Sequence, residues 1–136
     1  MNPTESTITK AAWLCVRDRH VLAARSKGKS AFYLPGGKPE AGESIEHALI
    51  REVKEELCVD LVPVSVEFVR LFTAQAHGKN AGTTLRMDCF SADFVGEISP
   101  SNEIEEVAWL THADHGKGSA AFRLVLDWLH ASGAID

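Results

Sequence analysis

Cysteine, basic charge and long apolar runs are all scarce in this sequence, and each scarcity removes a class of protein. Three cysteines occur, Cys15, Cys58 and Cys89, with no C-x-x-C pair among them. An odd, scattered set argues against a disulfide framework and suits reduced thiols in a cytoplasmic protein. Lys and Arg number 14 against 19 Asp and Glu, a formal charge of −5. Binding a nucleic acid polymer needs clustered cations to displace counterions, so no such partner is expected. A small anionic ligand stays open, provided that a metal ion or local basic residues neutralise it. No apolar run approaches the roughly 18 residues of a membrane helix, so no membrane partner is expected either. The opening MNPTESTITK lacks the charged and apolar regions of a signal peptide. There is no repeat, low-complexity segment or linker. What remains is 136 residues with 45% apolar content, enough to bury a core in one domain spanning 1–136.

Thr7–Arg17 and Val21–Arg25 flank a tight DRH and predict a strand pair. SKGKSA follows as a basic loop, and Phe32–Leu34 as a short strand ended by Pro35-Gly36-Gly37. Ser44 to Leu57 predicts the long helix, with Ser44 as N-cap, glutamate in the first turn and good helix formers throughout. VDLVPVSVEFVRLFTA reads as strand, with Pro63 limiting its early part. QAHGKNAGT reads as loop, Thr84–Val95 as strand, GEISPSNEIE as loop and EVAWL as a short strand. Phe122, Val125, Leu126 and Leu129 recur at helical spacing, a stripe that reads as core packing. This order predicts an α/β fold with a mixed sheet sandwiched between helices.

The long helix carries Glu52, Glu55 and Glu56 within five residues. Like charges one turn apart repel. On a wheel, Leu49, Ile50, Val53 and Leu57 form one side and His47, Arg51 and Lys54 the other, at about 100° per residue. The three glutamates fall along a margin of the apolar stripe, where desolvation makes uncompensated carboxylates costly. A hard divalent cation relieves that cost, since Mg²⁺ prefers oxygen ligands. The upstream glycine pair lets backbone approach a ligand closely, so a main-chain carbonyl there can join the same ion.

Gly37, five residues, Glu43, seven residues, and then Arg51-Glu52-Val53-Lys54-Glu55-Glu56-Leu57-Cys58-Val59 form a pattern that resembles the Nudix box. One position departs: Cys58 stands where that family has glycine. The motif covers Gly37 to Val59; FYLPGGK before it and EIEEVAWL after it resemble the family more weakly. The resemblance implies a Nudix-type α/β/α sandwich and hydrolysis of a nucleoside diphosphate linked to another moiety. It implies Glu52, Glu55, Glu56 and the Gly36 carbonyl as ligands of Mg²⁺, for which Mn²⁺ can substitute. Catalytic carboxylates are expected among Glu52, Glu55 and Glu103, with Glu52 first as general base and Glu97 or Glu103 as alternatives. Gly37, Glu43 and Arg51 are expected to be structural, Glu43 and Arg51 as an ion pair fixing the loop to the helix. Cys58 does not remove a ligand; it either strains a left-handed helix end, at roughly 1–2 kcal/mol relative to glycine, or the helix ends differently.

Arg25 and Lys38 are candidates for gripping substrate phosphates. The basic RSKGK is a solvated loop or a lid over phosphates, and Trp109 and Phe32 are core residues or base-stacking ones. His112-x-x-His115 offers two zinc ligands without cysteine partners, a weak pattern alone. Relatives acting on ADP-ribose often carry a proline past the box, and those acting on dinucleoside polyphosphates a tyrosine. Thr73–Lys79 has neither, and ARSKGKSAFYLPGG lacks the coenzyme A pattern. The resemblance that remains is to MutT-type enzymes, which cleave a nucleoside triphosphate, oxidised ones included, to monophosphate and pyrophosphate. Nucleotide sugars or dinucleotides are the alternative substrates. A non-catalytic nucleotide-binding module and an acidic partner surface are the rival classes. Oligomeric state is left open.

Overall fold

The computed structural model describes residues 6–76 and 82–136. Part of the expected QAHGKNAGT loop, residues 77–81, therefore lies outside the described residues. The elements run β1 (Ser6–Trp13), β2 (Val16–Arg17), β3 (His20–Ser26), β4 (Gly36–Gly37), α1 (Ile45–Leu57), β5 (Asp60–Leu61), β6 (Glu67–Gln75), β7 (Thr83–Ser91), β8 (Phe94–Val95), β9 (Ile104–Leu110) and α2 (Ala120–Ala131). Short 3₁₀ turns occupy Pro63–Ser65 and His112–Lys117.

The main sheet is mixed, in the order β4-β1-β7-β6. β1 and β7 run parallel, from Ser6 opposite Thr83 to Trp13 opposite Phe90, while β4 and β6 pair antiparallel at the two edges. A second, antiparallel sheet has the order β2-β3-β9, and β5 pairs with β8. The expected strand pair is thus corrected. β1 does not pair with β3; the chain leaves the first sheet at Leu14 and Cys15, and only Val16–Arg17 forms the hairpin with β3. Asp18 and Arg19 both take positive φ, 51° and 61°, as a tight two-residue hairpin turn requires.

Other strand limits shift as well. Phe32 and Tyr33 make single bridges to Gly118 and Ala24, so the short strand lies at Gly36–Gly37 instead. Pro63 opens a 3₁₀ turn that splits the next stretch into β5 and β6. The expected Thr84–Val95 strand breaks after Ser91, and Phe94–Val95 turns away to pair with β5. β9 begins within the expected loop, because Ile104 is buried opposite Ser26.

Both faces of β1 are covered. Ala12 packs with Phe122, Val125, Leu126 and Leu129 of α2, whereas Ala11 and Trp13 pack with Leu49, Val53 and Leu57 of α1. Alternation along a strand sends successive side chains to opposite faces, which is how one strand serves two cores. The result is the expected α/β/α sandwich, a mixed sheet between helices. Among the described residues no helix is long and apolar enough to cross a membrane.

Candidate active site

The site begins at the glycine pair. Gly36 has φ 144°, and a Cβ there would overlap the Ala11 carbonyl, so the position accepts no side chain. Held against β1, the Gly36 N–H donates to Glu56 Oε1 at 3.0 Å. At Gly37 a Cβ would overlap the Glu52 carboxylate. The bare Gly36 thereby lets its strand lie close against β1, and the bare Gly37 lets the Glu52 carboxylate lie directly against the backbone.

The helix end brings in the third carboxylate. Ser44 caps the start of α1 by accepting the His47 N–H at 3.1 Å. At the other end Cys58 takes the left-handed conformation, φ 63°, and donates its N–H to the Lys54 carbonyl. The carbonyls left open there are met by the late loop: Ser99 N–H bonds Leu57 O, Ser101 N–H bonds Glu56 O, and Asn102 Nδ2 bonds Glu55 O. Glu103 follows immediately. Glu52, Glu56 and Glu103 each present an oxygen, and these oxygens lie within 4.8 Å of one another.

Glu56 is 3% exposed. Burial pushes its carboxyl up to about 8; the Gly36 N–H and Lys10 oppose the shift, and Glu52 and Glu103 add to it. Lys10, on β1, sits with its ammonium 4.4 Å from the centre of the Tyr33 ring. Burial lowers its pKa, against the pull of Glu56 and Glu52. Sequence reasoning missed Lys10. The available signal was a lone cation on the strand face shared by Ile8 and Ala12, where an apolar residue is the ordinary choice.

Arg51 ties the box together. Its Nε and Nη2 bond both oxygens of Glu43 at 2.9 Å, Nη1 bonds Glu52 Oε1 at 2.7 Å, and Nη2 reaches the Lys38 carbonyl. Hydrogen bonds from Arg51, then from the Glu40 N–H, hold Glu43 down to about 2. The guanidinium thus aims Glu52 while fastening the loop to α1.

A cleft of about 820 Å³ opens over these groups. Its wall includes Glu52, Glu56 and Glu103 with Lys10, Lys29 and Lys38. Ile8, Leu85 and Ala76 form an apolar side. A larger hollow of about 1050 Å³, around Cys15, Val64 and Phe94, holds none of the three carboxylates.

Several expected site residues lie elsewhere. Arg25 does not line the cleft; it bonds Glu106 through Nε and Nη2 and the Lys29 carbonyl through Nη1, so it braces the basic loop. Glu55 stands outside the converging group, nearly half exposed and 3.5 Å from Arg51. Glu97 is exposed and off the cleft wall. Phe32 packs in the α2 core, and Trp109 packs in the α1 core beneath Arg17, so neither is placed to stack on a base.

A family model described as NUDIX domain matches residues 7–129. The chain belongs to the Nudix family. The "ADP-ribose pyrophosphatase" of Methanocaldococcus jannaschii is 44% identical over 43 residues, 29% of this chain and 25% of that protein. Its match and that to a second curated relative span only 25% and 16% of those proteins' lengths. Two solved structures share the fold. The E. coli ORF135 protein superimposes with TM-score 0.72 at 24% identity, over 95% of this chain and 94% of that one. The MutT protein from Methanosarcina mazei Go1 gives 0.75 at 20%, over 96% and 97%. In this Nudix domain the three convergent carboxylates are an all-oxygen donor set. One of them is buried where its own charge is disfavoured, and a hard divalent cation fits such a group.

Proposed function

We propose that this Nudix domain hydrolyses nucleoside triphosphates, oxidised ones included, to the monophosphate and pyrophosphate in a Mg²⁺-dependent reaction. The observation that carries the reading is the meeting of Glu52, Glu56 and Glu103 in one cleft with Lys10, Lys29 and Lys38. The carboxylates and the Gly36 backbone are the groups to hold Mg²⁺, or Mn²⁺ in its place. Glu55 is retained as a fourth carboxylate, since it lies one turn from Glu52 and gives up only its 3.5 Å pairing to Arg51. Bound there, the ion neutralises phosphate charge and acidifies water for attack on phosphorus. The lysines draw in the polyphosphate as point charges. Glu56, buried and bonded to Gly36, serves the ion, whereas Glu52 and Glu103 are the two members of the cluster open to water. Glu52, aimed by Arg51, is the first general base and Glu103 the alternative. The apolar side formed by Ile8 and Leu85 receives the base.

The M. jannaschii relative's name favours ADP-ribose as a second reading, with nucleotide sugars behind it. A panel of triphosphates, oxidised triphosphates, ADP-ribose and nucleotide sugars, assayed with Mg²⁺ and with product identification, separates the two. Monophosphate plus pyrophosphate from triphosphates is expected. Turnover of ADP-ribose alone would replace the substrate, and no turnover of any phosphoanhydride would overturn the enzymatic reading.

A further inference from the structure

Away from the cleft, His112, His115 and His130 gather with Asp127 where the 3₁₀ turn His112–Lys117 meets α2. A 3₁₀ turn has three residues per turn, so side chains three apart eclipse, and His112 and His115 face the same way. The turn is held before any ligand arrives. The Thr111 hydroxyl accepts the Ala113 N–H, the Asp114 carboxylate accepts the Thr111 N–H at 3.0 Å, and the His112 N–H donates to the Asp136 carbonyl at 2.8 Å. Asp127, from α2, puts Oδ1 2.9 Å from His112 Nε2 and 3.2 Å from His115 Nε2. His115 Nε2 is shut off from solvent and, among the described residues, makes no well-directed hydrogen bond. The His130 ring stacks on His112, centres 4.4 Å apart and 14° from parallel, which fixes that imidazole's plane.

We propose that His112, His115 and Asp127 form a second metal site, taking Zn²⁺ or a similar borderline transition-metal ion through two imidazole nitrogens and one carboxylate oxygen. Around a tetrahedral ion with bonds of about 2.0–2.1 Å, ligand atoms sit about 3.3 Å apart. The three donors lie 2.9 Å, 3.2 Å and no more than 4.8 Å from one another, so small ring rotations close the site. Two imidazoles select against Mg²⁺, which keeps this site distinct in chemistry from the carboxylate cleft. Three protein ligands leave a fourth position for water. The ion cross-links the 3₁₀ turn to α2, whose N-cap Ser119 lines the cleft.

The test is a Co²⁺ titration of the full chain in excess Mg²⁺, followed by the visible bands of four-coordinate cobalt. One equivalent is expected to bind, to be displaced by Zn²⁺, and to lose affinity at least tenfold in His115→Ala and in Asp127→Asn. Glu56→Gln is expected to retain the bands, and Zn²⁺ to raise the melting temperature of the wild type but not of His115→Ala. Should His115→Ala fail to fold, Asp127→Asn, at an exposed side chain, carries the same comparison. Absent bands, bands that survive both variants, or bands lost in Glu56→Gln would each overturn the site.

Discussion

Glu56 shows what a single side chain decides here. Its folded carboxyl binds a proton more tightly than the unfolded one, about 8 against an ordinary 4.5. Its contribution to stability is therefore full below pH 4.5 and is lost as pH rises through 8. In chelator at pH 8, Glu56→Gln is expected to stabilise the protein by about 0.5–2 kcal/mol, since the amide still accepts the Gly36 N–H without charge. Near pH 4.5 the difference shrinks, and with saturating Mg²⁺ it reverses, because ligand stabilises only the chain that binds it. Melts at the two pH values, with and without Mg²⁺, check all three signs. Gly37→Ala makes a steric prediction. Its methyl meets the Glu52 carboxylate, so turnover is expected to fall at least tenfold while the far-UV circular dichroism is kept; unchanged turnover would mean Glu52 is not needed where it sits. Cys58→Gly is expected to leave activity intact and to change stability by between zero and about +1 kcal/mol. Glycine relieves the left-handed strain but enlarges the unfolded ensemble. A loss above about 1 kcal/mol in denaturant titration would show that the thiol contributes packing.

At the scale of elements, α1 works through its two ends. The N-terminal half is fastened by Arg51, which holds Glu43 and Glu52 and stands within 4 Å of Glu40 and Glu55. Removing this one cation leaves four carboxylates facing one another. Arg51→Ala is expected to lower the melting temperature and to weaken Mg²⁺ binding by releasing Glu52. Because Arg51 holds the Glu43 pKa down to about 2, the pair's contribution is present above pH 4.5 and is lost as pH falls through 2. An acid titration that unfolds wild type and Arg51→Ala with the same steepness would contradict this. The C-terminal end of α1 instead recruits the late loop, whose Ser99, Ser101 and Asn102 satisfy its last carbonyls. Capping and the carboxylate cluster share one segment there, since the residue after Asn102 is Glu103.

Across the whole molecule, the sheet sits between two helices that do different work. α2 covers one face with Phe122, Val125, Leu126 and Leu129, and α1 covers the other while turning a charged margin toward the cleft. Mg²⁺ at a hundredfold excess over its dissociation constant is expected to stabilise the fold by about 2.7 kcal/mol, read as a rise in melting temperature. The same rise in Glu56→Gln would detach the ion from this cleft. Helix α1, its Ser44 cap and the buried stripe of α2 were legible from the sequence, because propensity, capping and 3.6-residue periodicity act between near neighbours; that Cys58 takes the left-handed conformation rather than ending the helix another way was not. So was the spacing that placed Glu52 and Glu56 beside a glycine turn. Tertiary structure alone decided which strands pair, since β1 meets β7 across some seventy residues and its two buried faces carry no label of partner. It also decided that Lys10 enters the site, that Arg25 is spent on Glu106, that Glu103 rather than Glu55 completes the carboxylate group, and that Asp127 joins His112 and His115. Those are contacts between side chains distant in sequence, and their choice depends on packing and desolvation in the assembled fold, which no local pattern records.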